Sequence, residues 1–123
     1  MKSFQKITPA IMEKVSLTKN IQYNEGKPAI MVLLKTKTSK EIRIVMKKGQ
    51  EMKEHTAPYP IMVELFEGAI DFGVNGKKTL LQKGDLVALA ENVPHDLTCV
   101  EDCIIRLSIS VHDKPNRIKG LID

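Results

Sequence analysis

Ala69-Ile70-Asp71-Phe72-Gly73-Val74-Asn75-Gly76-Lys77-Lys78-Thr79-Leu80-Leu81 reads as two strands joined by a two-residue turn. Asn75-Gly76 decides it, because a type I′ turn needs φ > 0 at both central positions and these residues tolerate that best. The same grammar recurs on either side. Upstream, Ile61-Met62-Val63-Glu64-Leu65-Phe66 stops at Glu67-Gly68. Downstream, Lys83-Gly84-Asp85 is a turn before Leu86-Val87-Ala88-Leu89-Ala90. The run from Cys103 to Val111 has apolar odd positions and mostly polar even ones, so one face is buried and the other wet. Two earlier runs, Ala29–Leu34 and Glu41–Met46, are bounded by Gly26-Lys27-Pro28 and by Lys48-Gly49. Many short strands with no helix between them predict an all-β antiparallel sandwich or barrel. The one helical signal is Thr8-Pro9-Ala10-Ile11-Met12-Glu13, with Thr8 as N-cap and Pro9 at the first helical position.

At 123 residues the chain fits one domain. The division predicted is an arm over 1–28, holding the short helix and a strand available for exchange with a neighbouring subunit, a barrel over 29–112, and a tail over 113–123. The apolar fraction is 42%, mostly Ile, Val and Leu with no Trp, which suits a barrel core and not an aromatic platform for nucleic acid. A net charge of +4 matters only if it is focused, and here acids are interspersed among the lysines. A solvated basic surface is expected, with no nucleic-acid partner. No stretch approaches the roughly 20 apolar residues of a membrane span, and Met1–Lys6 lacks the apolar run of a signal peptide. The expected location is therefore cytoplasmic, with no membrane partner. Cys99 and Cys103 are too few for a disulfide framework and read as small buried hydrophobes. Glu101-Asp102 between them reads as a turn that keeps them apart.

The three histidines carry the chemistry. His55 is expected at the start of a strand, and His95 follows the turn Glu91-Asn92-Val93-Pro94 into another. Strand parity would put His55, Ala57, Ile61 and Val63 on one inner face, and His95, Leu97 and Cys99 on another. Two imidazoles in one barrel interior can bind a divalent metal. The plainer alternative is a pair of half-buried histidines satisfied by hydrogen bonds and water. His112 and Glu64 have outward parity and read as exposed.

Across about residues 30–111 the chain resembles the cupin family, specifically its small single-domain type-2 members with a jelly-roll barrel. The first cupin block matches Gly49, five residues, His55-Thr56-Ala57, then Ile61 and Gly68; the second matches Gly84-Asp85 followed by Val93-Pro94-His95. The resemblance implies a double-stranded β-helix. Metal-holding members present three histidines and one glutamate. Carried over, these fall on His55, Ala57, Ile61 and His95, so two of the four ligands survive. Cupins with a His-Thr-Ala-Pro first motif form a subset in which this loss is a trait. Tight transition-metal sites have three or more protein ligands, so a divalent Zn, Fe, Ni or Mn ion held by His55 and His95 would be held weakly.

Two functions follow from different classes. One is a small-molecule-binding cupin, with Ile61, Val63, Leu65, Leu97 and Leu107 as apolar walls and His55 and His95 as orienting groups. The other is a metal-dependent enzyme, dioxygenase- or isomerase-like, acting on a small polar metabolite. A barrel open on one side leaves sheet edges that must be covered, and cupins of this size resemble dimers, so a homodimer is predicted.

Overall fold

A strand pair closed by Asn-Gly must find further partners, since an isolated hairpin cannot bury its apolar face. In the computed structural model, which describes residues 11–111, those partners are supplied by seven strands. They are β1 (Ala29–Lys35), β2 (Ser39–Met46), β3 (Glu51–His55), β4 (Ile61–Val74), β5 (Lys77–Gln82), β6 (Leu86–Leu89) and β7 (His95–Ser110). Every pairing is antiparallel. The β4–β5 turn is as predicted: Asn75 and Gly76 have φ of 54° and 76°, and Val74 pairs with Lys77.

Two strands are long because each serves two sheets. The first half of β4 pairs with β6 and with the second half of β7, which continues to β2 and β1. The second half of β4 pairs with β5 and with the first half of β7, which continues to β3. The two sheets share the β4–β7 pair and fold toward each other across it. Register shifts between Leu65 and Ile70 mark the bend. They also change the inward parity of β4, from Ile61, Val63 and Leu65 to Ile70 and Phe72, all buried. On β7 the inward residues remain Leu97, Cys99, Cys103 and Ile105. These and Ile42, Ile44 and Met46 of β2 form one core.

Gly68 sits at the bend with φ of +91°, and a Cβ there would collide with the Asp102 carbonyl oxygen and lie 2.7 Å from Cys103 Cα. The close crossing of β4 and β7 thus demands a residue without a side chain.

Two sequence expectations need correction here. Glu67-Gly68 and Glu101-Asp102 read as strand ends, yet each is a bulge inside a continuous strand. Glu101 keeps a ladder partner in Ala69, and Asp102 Oδ1 accepts from the Lys48 backbone N–H at 2.8 Å, so the polar pair is accommodated without ending β7. The helix predicted over 8–13 lies partly outside the described residues, and Ile11–Glu13 form no helix. Ile11 and Met12 are 104% and 78% exposed, and one helical turn that buries nothing cannot offset its nucleation cost. Residues 11–28 instead run as irregular backbone. They are held by Arg43, buried on the outer face of β2, whose guanidinium donates to the carbonyls of Leu17 (3.3 Å), Lys19 (3.0 Å) and Asn20 (3.4 Å).

Gly68→Ala should lower stability by at least about 2 kcal/mol in urea unfolding, through both the positive φ and the overlap with β7. Gly76→Ala, where a Cβ meets nothing within 4 Å, should cost only about 1 kcal/mol, from backbone strain alone.

Candidate functional site: two histidines at the mouth of the barrel

β3 leaves a turn at Gly49 and runs against the first half of β7, with Met52 opposite Leu97 and His55 opposite His95. Three steps on β3 therefore match two on β7, which defines a bulge over Lys53-Glu54. Residues directly opposite in an antiparallel pair point to the same face. Without the extra residue Glu54 would stand opposite His95; with it, His55 does. The ring centroids of His55 and His95 are 4.3 Å apart, tilted by 60°. His95 is 5% exposed and stacks on Phe72 at 5.8 Å, whereas His55 is exposed. His95 thus forms the floor of the site and His55 its rim. The sequence reading put His55 at a strand start, but it ends β3: Pro58 and Pro60 follow, and neither can donate to a ladder. The loop beyond is pinned to the one preceding β7, where Asn92 N–H donates to the Ala57 carbonyl at 2.7 Å.

Both rings are oriented in the same way. His55 Nδ1 lies 2.7 Å from the Lys53 carbonyl oxygen, and His95 Nδ1 lies 2.9 Å from that of Val93. A carbonyl only accepts, so each Nδ1 carries a proton, and a ring in its neutral form presents Nε2 as a lone pair. Among the described residues neither Nε2 has a protein partner. No fully buried side-chain nitrogen or oxygen there lacks a partner, so Nε2 of His95 must reach accessible space despite the burial of its ring. Two such nitrogens can accept hydrogen bonds, ligate a metal, or donate to an anion once protonated.

The other residues expected at the site pack in the core. Ile61, Val63 and Leu97 are 6%, 4% and 5% exposed and belong to the main core, against which Ala57 also packs. Leu65 is fully buried and Leu107 half-buried. Ala57 and Ile61 are the positions where two further ligands would stand, and both are apolar. Among the described residues no group of three or more His, Cys, Asp or Glu side chains gathers to hold a metal. Among the described residues two imidazoles are therefore the whole donor set, which does not fit a tightly held resident metal. Cys99 offers no substitute: its single S–H lies within reach of the carbonyls of Glu101 (3.0 Å) and Met46 (3.4 Å) inside the core. Glu64 has the outward parity expected but is not free. It accepts from Arg106 Nε at 2.8 Å, and Arg106 Nη1 donates to Glu41 at 2.9 Å. The hydrogen bond to Glu64 is the largest influence raising the Arg106 pKa. His112 lies outside the described residues.

The sequence reading missed two features. Phe72 backs His95, and its position was legible in principle from the hairpin, two residues before the Val74 that pairs with His95. A groove of about 460 Å³ beside His55, lined by Asn24, Lys27, Pro28, Ile30 and Met52, was not, because the arm before β1 carries no periodic signal.

Solved structures share this arrangement of strands. One is an RmlC-like cupin from Desulfovibrio desulfuricans, with TM-score 0.75 and 17% identity, covering 80% of this chain and 96% of that one. The chain folds as a cupin. An RmlC-like cupin from Shewanella frigidimarina superposes at TM-score 0.70 with 20% identity over 84% of this chain and 95% of that one. A protein with a double-stranded β-helix domain from Klebsiella pneumoniae gives 0.71 with 22% identity over 80% and 89%. No family model matches the sequence, and no curated protein does. At these identities the likeness is one of fold, and it extends the cupin expectation from the motif residues to the whole described barrel.

Truncating the two rings should separate their roles. His95→Ala should cost about 1–3 kcal/mol in chemical denaturation, since it empties a packed position against Phe72, while His55→Ala should stay within about 0.5 kcal/mol.

Proposed function

We propose that this cupin binds a small polar or anionic molecule, with His95 and His55 as its orienting groups. The observation that supports it is the pair of parallel tautomers: two rings fixed by backbone carbonyls, each presenting an unpartnered Nε2 at one opening of the barrel. Fixed polar groups beside apolar surface are how small-molecule sites achieve orientation, and Pro28, Ile30 and Met52 of the adjoining groove offer such a surface beside His55. Lys27 in the adjoining groove adds a positive charge that favours an anion. A divalent Zn, Fe, Ni or Mn ion on the same two nitrogens would be held weakly and would exchange. A reducing, cytoplasmic setting fits the two free thiols.

Tag-free protein loaded with zinc should lose it on dialysis, and a small dicarboxylate such as malonate should shift the imidazole NMR signals of His55 and His95 together. Near-stoichiometric metal that survives dialysis and disappears in the His55→Ala, His95→Ala double variant would replace this reading with a metal-dependent one. Imidazole signals that respond neither to metal nor to anions would leave the pair a structural feature only.

The proposal includes a homodimer. Among the described residues β1 pairs only with β2, and Ile30 and Val32 stand opposite the inward Ile44 and Ile42. They are nonetheless 58% and 51% exposed. An open apolar edge of this kind calls for a cover, and a second copy supplies one. Light scattering at micromolar concentration should return twice the chain mass; a monomer would overturn this.

A further inference from the structure

Outside the histidine site, one pair of nucleophilic side chains remains without a role. Cys99 and Cys103 both lie on β7, and the turn expected between them is a bulge that draws them together. Four residues of regular strand span about 13 Å, yet their Sγ atoms are 3.5 Å apart. Cys99 is 2% exposed and Cys103 is fully buried. Gly68, whose missing Cβ would meet Cys103 Cβ at 2.8 Å, closes the site from β4. Among the described residues no third ligating side chain joins the two thiols, which argues against a metal centre there. Two sulfurs already in contact need to approach by about 1.5 Å to reach a bond of about 2.05 Å.

We infer that Cys99 and Cys103 form an oxidation site at which a peroxide converts the two thiols into an intramolecular disulfide. In the first step one thiolate attacks a peroxide oxygen, giving a sulfenic acid and, for hydrogen peroxide, hydroxide. In the second the neighbouring thiol displaces that oxygen as water and forms the S–S bond. Overall, two thiols and one hydrogen peroxide give one disulfide and two waters. The contact between the sulfurs makes the second step faster than further oxidation, because the resolving thiol is already in place. Burial raises the pKa of both thiols and is the largest cause for each. At neutral pH the pair is therefore protonated and slow to react, which suits a site that responds to sustained oxidant. The bond would clamp the bulge where β7 passes between sheets. Cys99 also exchanges backbone hydrogen bonds with Gly49 and Gln50, directly ahead of β3, so the cross-link adjoins both strands that carry the histidines.

The test uses the full chain, exposed to hydrogen peroxide while circular dichroism confirms that the fold is kept, then alkylated in denaturant and digested with trypsin. The peptide Gly84–Arg106 holds both cysteines. It should appear unalkylated and lighter by two hydrogens, and dithiothreitol added before alkylation should restore two alkylation sites. Two alkylated cysteines after peroxide, a sulfinic acid on either residue, or a disulfide between two chains would each overturn the inference. In Cys103→Ser, dimedone should trap a sulfenic acid on Cys99; if that variant does not fold, the wild-type peptide decides alone.

Discussion

The close crossing of β4 and β7 is the constraint on which the rest depends. Two strands of 14 and 16 residues can serve two sheets only if both bend at the same place. The bend requires their backbones to approach where Gly68 meets Asp102 and Cys103. From that point the inner faces of both sheets are set, including the parity change on β4 and the preserved parity on β7. His95 is inward because β7 keeps its phase through the bulge, and Phe72 can back it because β4 changes its own. The site is thus positioned by the same crossing that closes the barrel.

Much of this was legible in the chain. Asn75-Gly76 announced the hairpin, the alternation after Cys103 announced an inner and an outer face, and His55 and His95 stood at turn-bounded strand ends. Strand continuity was less legible. Glu67-Gly68 and Glu101-Asp102 have the composition of turns, and polar residues with a glycine look alike whether they end a strand or bulge out of one. The difference is made by tertiary partners, the Lys48 N–H that binds Asp102 and the β4 backbone that keeps Glu101 in the ladder. The arm was illegible for a related reason. Its hold on the barrel is largely Arg43 and Gln50 reaching backbone carbonyls, and any sequence can supply carbonyls.

Burying Arg43 against three backbone carbonyls and the Met31 sulfur shows how the outer face is organised. Arg43 and Arg106 are direct neighbours across β2 and β7, and two adjacent guanidinium groups would repel if both faced the same partners. They are served separately. Arg106 takes the carboxylates of Glu64 and Glu41, partly exposed ion pairs of modest individual worth. Arg43 takes the dipoles of Leu17, Lys19 and Asn20, and in doing so fastens the arm.

The bulge over Lys53-Glu54 gives the site an unusual kind of tunability. A strand normally changes its chemistry by substitution, one side chain at a time. Here the identity of the group facing His95 is set by chain length. One residue inserted between Met52 and Glu54, with the bulge kept, would bring Glu54 into that place and exchange a nitrogen donor for an oxygen one. Imidazole nitrogens suit borderline metals and carboxylate oxygens suit harder cations, so the chemistry on offer would change with every other side chain in the barrel unchanged. Insertion, commonly dismissed as damage to a sheet, is at this bulge a direct route to a different facing group.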